Sequence, residues 1–264
     1  KNITLYSGLA LGSTAGGTTL RGGTAGDYNK LILAGGVTVT NEPLTITGGS
    51  SLRAGLWSAT GGTSCWDGDI RIAADGWLQI GSGPGNTFTI GSLDRTVITN
   101  SGPNALPFRD AGTIVLNSRL AMATNAIIRD DSGTLIINST SNRIQSATVA
   151  QGTVPLGAAE PFAAAPTISI GKGSDTNPGN KAALDLNGHR LTLARIIDAH
   201  GDGYNGTANE GYQRILCASP STLTVNGSTG SSYARVGSVM SGPLTLIKAG
   251  TGALTLGQTN ALSG

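Results

Sequence analysis

The runs TIVL at Thr113 to Leu116 and TLII at Thr134 to Ile137 begin 21 positions apart, and the same interval separates Leu223 from Leu244 in two further runs. This recurrence constrains the fold more than any single motif. A unit of about twenty residues holds two or three short strands joined by tight turns, too little to bury an apolar face alone, so successive units must stack and cover one another. Similar runs occur along the whole chain. They include Lys30 to Leu33, Val37 to Thr40, Leu44 to Thr47, Asp69 to Ile72, Trp77 to Ile80, Thr87 to Ile90, Thr96 to Thr99 and Thr167 to Ile170. Ala183 to Leu186, Leu191 to Leu193, Ile215 to Cys217 and Leu254 to Leu256 continue the series. Each is set off by Gly, Asn, Asp or Ser, which marks strands. The two weak helical patterns, Leu120 to Ile128 and Val154 to Phe162, are broken by Asn or Pro.

Stacked coils need corners, and corners need residues that tolerate positive φ. Glycine supplies 41 of the 264 residues, and Asn-Gly pairs stand at Asn187, Asn205 and Asn226. The same pair is also the strongest hairpin signal, which keeps a β-sandwich as the alternative fold. Charged residues make up 12% of the chain, against about 25% in ordinary domains, yet the net charge is only +2. Low charge with recurrent Val, Ile and Thr describes a folded, all-β chain and not a disordered one.

A net charge of +2 with no run of Lys or Arg longer than one excludes an extended nucleic-acid interface. The longest weakly polar stretch, Gly157 to Pro166, falls far short of the roughly 20 apolar residues of a membrane-spanning helix. The chain opens on Lys1 with neither an initiator Met nor an apolar leader segment, so the expectation is a processed chain or an excerpt. On a β-helix, Cys65 and Cys217 would lie roughly 35 Å apart along the axis, while a disulfide tolerates a Cα separation of about 7 Å. The two are expected not to pair within one chain, which leaves free thiols or bonds between neighbouring copies.

The segment GPLTLIKAGTGALTLGQTNALSG, Gly242 to Gly264, resembles the autotransporter-associated β-strand repeat, also called the passenger-associated transport repeat. Lys248, Gly250, Gly252, Leu254, Leu256, Asn260, Ser263 and Gly264 fall where its pattern L-x-K-x-G-x-G-x-L-x-L-x-G-x-N-x-x-x-G wants them. Gln258 replaces the usual glycine and Leu262 the usual aromatic residue. ALDLNGHRLTL, Ala183 to Leu193, resembles the segment that precedes such repeats, STLTVNG at Ser221 to Gly227 continues the same register, and WDGDIRIAADGWLQIG from Trp66 resembles an earlier pair of coils. The resemblance implies a right-handed parallel β-helix secreted to the bacterial cell surface. Taken with the spacing, it predicts one elongated β-solenoid domain over residues 1–264, of roughly a dozen coils and about 55 to 65 Å long. Loops are expected to project near residues 10–28 and 199–211.

Few residues carry candidate chemistry. DAHGDGYNGTANEGY, Asp198 to Tyr212, offers Asp198, Asp202 and Glu210 as oxygen ligands for calcium, although His200 departs from the spacing of a calcium loop. Without calcium it reads as a projecting polar loop, and no other cofactor is expected. Asp67 and Asp69 beside Trp66 could line a sugar groove, with the indole stacked on a ring; a Trp packed into a coil is the competing reading. The Gly-rich loop Gly171 to Lys181 lacks the phosphate-loop pattern and reads as a surface turn, and His189 has no visible metal partners.

Three functions follow from this reading. The first is an extracellular structural protein, a stalk segment or filament subunit without enzymatic activity. An adhesin for cell-surface glycans is the second, and a polysaccharide lyase or hydrolase on a β-helix is the third. The carboxylates do not recur at matching positions of successive units, which disfavours the enzyme. Uncapped terminal coils recruit other strands, so Leu254, Leu256, Leu262 and Gly264 are expected to meet further coils of the same chain or a second copy.

Overall fold

A computed structural model describes residues 1–24, 28–48, 52–59, 61–171, 181–199, 213–233, 238–257 and 261–262. Among these residues every ladder between named strands is parallel, and the only antiparallel contact is an isolated bridge between Gly23 and Arg53. Hairpins are therefore not the building unit, and the sandwich alternative falls. The chain is a parallel β-solenoid that visits three faces in turn.

The first face stacks eleven strands: Asn2–Leu5, Asn29–Leu33, Ala54–Ser58, Leu78–Ser82, Leu106–Arg109, Arg119–Arg129, Arg143–Val149, Thr167–Ile170, Arg195–Asp198, Ser231–Tyr233 and Leu254–Leu256. Ten strands stack on the second face, from Thr38–Thr40 through Thr63–Asp67, Thr87–Ile90, Thr113–Leu116 and Thr134–Ile137 to Ala261–Leu262. The third carries Thr18–Arg21, Leu44–Thr47, Ile70–Ile72 and Val97–Asn100, and later Arg190–Leu193, Ser221–Val225 and Leu244–Lys248. Eleven strands at about 4.8 Å per layer give a body about 48 Å long, shorter than the dozen coils expected.

The core consists of inward columns in which one coil's side chain rests on the next. Leu78, Leu106, Ile127, Ala147, Ile168 and Ile196 form one such column on the first face. On the second face Phe88, Ile114, Leu135, Val154, Leu184, Ile215 and Met240 form another. All are buried, and burial of each such Val, Leu, Ile, Phe or Met side chain is worth about 1.5–3 kcal/mol. One inward column carries charge at two of its described positions, Arg129 and Asp198. Arg129 is buried, and its guanidinium donates to the carbonyls of Phe108 at 2.8 Å, Gly133 at 3.2 Å and Asp110. Burial pulls its pKa down to about 10 against the opposing pull of Asp131, Asp110 and Asp130, so it remains a cation at neutral pH and ties consecutive coils together.

Several sequence expectations change. Thr113 pairs with Thr134 as the spacing predicts, but Leu223 pairs with Leu246 and not Leu244, because this coil is two residues longer than the matching letters suggest. As the broken helical patterns lead one to expect, neither segment is helical: Leu120 to Ile128 lies within the strand Arg119–Arg129, which bends from the third face to the first through an irregularity between Met122 and Ala126. The strand Gly152–Pro155 likewise takes Val154. Within the loop expected at 10–28, Thr18–Arg21 is a strand paired with Leu44–Thr47. Beyond Ala199, the loop expected at 199–211 lies outside the described residues. Asn187 and Gly188, at φ 48° and 82°, turn a corner between strands of different sheets, so this Asn-Gly pair is a coil corner.

Candidate functional site

The second face meets the third at a corner whose construction changes from coil to coil. In one coil Asn41, Glu42 and Pro43 span it; in the next only Gly68 and Asp69 do; in the one after, the longer segment Gly91 to Thr96 does. Two short corners beneath a long one leave a recess. A groove of about 310 Å³ lies there, lined by Asn41, Pro43, Asp67, Asp69, Ser92 and Arg95 among others. Gly68 permits the close stacking, since a Cβ at that position would run into the Glu42 carbonyl. Asn41 and Asp94, both at φ 55°, take the left-handed turns that short polar side chains tolerate best.

Each aspartate holds the corner with one oxygen. Asp67 Oδ1 accepts from the Ser92 hydroxyl at 2.7 Å, and Asp69 Oδ1 accepts from the Val97 amide at 2.8 Å. Their carbonyls accept from Asn41 N at 2.5 Å and Leu44 N at 2.8 Å in the preceding coil. The second oxygen of each carboxylate accepts from no described residue, and Arg95 is exposed. Acceptors, hydroxyls and a guanidinium in one shallow recess suit a ligand rich in hydroxyl groups.

Trp66 is not part of this groove. It is fully buried, in register with Val39 and Ile90 in an inward column, and presents no ring face to a sugar. The reading of Trp66 as a stacking platform is therefore corrected: its indole fills the core, while Asp67 on the opposite side of the strand reaches the surface. The putty-like alternation Ser64, Cys65, Trp66, Asp67 leaves only Ser64 and Trp66 inside.

Asp198 closes the strand Arg195–Asp198 in register with Ile170 and is only 3% exposed. It belongs to the coil wall and not to a projecting loop. Asp202 and Glu210 lie outside the described residues, as do His200, most of the Gly171 to Lys181 loop, Asn260, Ser263 and Gly264. Among the described residues no three His, Cys, Asp or Glu side chains gather as metal ligands.

Both cysteines are free. Cys65 faces outward and half-buried between Thr38 and Thr89, and burial, aided by the Asp67 carboxylate, pushes its thiol up. Cys217 is buried and donates to the Ser241 carbonyl at 3.4 Å; burial raises it too, with Asp185 adding and Ser221 opposing. Thiols held protonated are poor nucleophiles. Near the last described coil, Leu254 packs half-buried against the core while Leu256 and Leu262 are exposed. In the same stretch Gly250 turns at φ 68°, and Gly252 lies where a Cβ would strike the Thr229 carbonyl of the coil below.

Comparison of the chain with protein-family models, with curated proteins and with solved structures finds no match in any of the three.

A second cluster escaped the sequence reading. Tyr28, Arg53 and Trp77 stand one above another on the outside of the first face, beside Lys30, Trp57 and Gln79. The available signal was spacing: Tyr28, Arg53 and Trp77 recur at nearly equal intervals, as do Lys30, Gly55 and Gln79.

Proposed function

We propose that this chain is a rigid segment of an extracellular structural protein of bacterial origin, a surface stalk or fibre built from stacked β-coils and without catalytic activity. The unbroken parallel stack carries the reading: eleven strands share one face, and their inward columns continue from coil to coil without a second core. Quasi-one-dimensional bodies of this kind act through length and through the surfaces they display. The surface location rests on the resemblance of Gly242 to Gly264 to autotransporter repeats. Exposed Ile247, Leu256 and Leu262 support stacking of another layer on this end, from the same chain or from a second copy.

Negative-stain electron microscopy at low and high concentration tests the proposal. Rods of about 48 Å, or fibres built from them, are expected; compact particles without a long axis at either concentration would sink it. The corner groove of Asp67, Asp69, Ser92 and Arg95 favours a second reading, an adhesin that holds a neutral glycan by hydrogen bonds. Asp67→Asn with Asp69→Asn should then abolish retention on immobilised neutral glycans while leaving the rods intact.

A further inference from the structure

The outer surface of the first face, over four coils near its start, is built unlike any other described part of the molecule. Parallel register places Tyr28, Arg53 and Trp77 in one outward column, Lys30, Gly55 and Gln79 in the next, and Ile32, Trp57, Gly81 and Arg109 in a third. The Arg53 guanidinium lies between two rings, 4.0 Å from the Trp77 centroid and 5.5 Å from that of Tyr28, and its Nη1 donates to the Tyr28 hydroxyl at 2.6 Å. Trp57 lies flat along the sheet. The missing side chains of Gly55 and Gly81 make its seat, since a Cβ at either would overlap the indole, and its Nε1 donates to Asp110. Lys30 Nζ stands 4.4 Å from the Trp57 ring.

Unmet hydrogen-bond demand singles out this surface. Four buried side-chain donors here meet no acceptor among the described residues: Arg53 Nε, Trp77 Nε1, Gln79 Nε2 and Arg109 Nε. Every one is a donor. Gln79 is only 2% exposed although it points outward; its amide lies near the Tyr28 hydroxyl without meeting hydrogen-bond geometry. A buried N–H left without an acceptor bears the full cost of its desolvation, and native proteins hold few such groups. The charge is unmet as well. Arg109 pairs with Asp130 at 2.9 Å, whereas Lys30 and Arg53 have no carboxylate within ion-pair distance among the described residues.

We infer that this face binds an acidic polysaccharide, a chain of carboxylate-bearing sugars lying along the solenoid axis. Carboxylates supply the negative charge that the partly exposed Lys30 and Arg53 leave unanswered. The aromatic rings supply flat apolar plates for the C–H faces of pyranose rings, and layers about 4.8 Å apart present them at a pitch comparable to a glycosidic repeat. Nucleic acid shares the anionic charge and a stackable ring, but it demands a longer basic track than one with two unpaired cations. This surface is separate from the corner groove, and its role does not depend on whether the solenoid serves as a stalk.

The test is calorimetric titration of the purified chain with oligogalacturonate, with its methyl-esterified form and with a single-stranded oligodeoxynucleotide. Saturable binding of the acid form alone is expected. Arg53→Met and Trp57→Ala should each weaken it about tenfold or more, the first through a lost charge-assisted contact and the second through a lost ring plate. Arg53→Lys, which keeps the charge, should retain an intermediate affinity, and Thr113→Val on the second face should change nothing. Absence of binding to the acid oligomer, equal binding of the ester, tighter binding of the oligodeoxynucleotide, or wild-type affinity in both Arg53 variants would overturn the assignment.

Discussion

Two outer surfaces of the same solenoid are built on opposite rules. On the second face one outward column reads Thr63, Thr87, Thr113, Thr134 and Thr153, the same residue on five successive coils. On the first face the columns through Tyr28, Lys30 and Ile32 never repeat a residue over the three or four coils that they cross. Repetition is what a solenoid needs for stability, because an identical side chain on each layer packs in an identical rotamer and suits the β-branched preference of the strand. The irregular face meets the backbone requirement just as well but adds glycines that clear room, an indole pinned flat and donors without acceptors. Uniformity therefore marks the surface that holds the stack together, and departure from it marks the surface specialised for contact.

The comparison breaks most readily at Gly81. Alanine there has no backbone objection, since Gly81 is not among the positive-φ glycines. Its Cβ would nevertheless overlap Trp57 Cε2 and Nε1, forcing the ring out of its seat and away from Asp110. Gly81→Ala should cost about 1–3 kcal/mol and shift Trp emission to the red, both read from a denaturant titration followed by fluorescence. A ring that stays in place, with stability unchanged, would mean that the glycines do not shape this face.

The opposite test belongs to the threonine column. Thr113 is half-buried, outward-facing and flanked by Thr87 and Thr134. Thr113→Val keeps the branched shape and removes only a hydroxyl, so stability should stay within about 0.5 kcal/mol of the parent. A larger loss in thermal unfolding would show that the hydroxyls act as a hydrogen-bonded ladder and not merely as well-fitting shapes.

Strands were legible in the sequence where alternation was clean. Leu44 to Thr47, Thr87 to Ile90, Thr113 to Leu116, Thr134 to Ile137 and Thr167 to Ile170 have the limits read from the sequence. Strands such as Ala54–Ser58 and Leu106–Arg109 were missed because their outward positions hold Gly, Trp, Pro or Arg, which blur the period of two. The same blurring hid the aromatic face. Trp66 drew attention through its flanking aspartates, yet nothing in the alternation of Ser64 to Asp67 says which side is inside; the register with Val39 and Ile90 decides that, and register is a property of three coils at once. Asp67 and Asp69 were legible as polar corner residues, but the recess they line depends on the unequal lengths of three corners.

The smallest expected effect, and the one most specific to the irregular face, is the titration of Tyr28. Burial pushes its hydroxyl up, but the hydrogen bond and charge of Arg53 outweigh burial, helped by Arg109 and Gln79, and the net result lies below the ordinary tyrosine value of 10.0. A depressed acid contributes stability that is fully present above its unfolded pKa and is lost as pH falls through the folded one. In the alkaline window just below pH 10 the parent should therefore gain stability over Tyr28→Phe as pH rises, and absorbance at the phenolate band should show one of the five tyrosines ionising ahead of the rest. Saturation with an acidic oligosaccharide should return that early tyrosine toward its ordinary value, because a carboxylate on Arg53 removes the charge that favours phenolate. If the early ionisation persists at saturation, Arg53 is not where the carboxylate sits, and the difference between the two faces is one of packing alone.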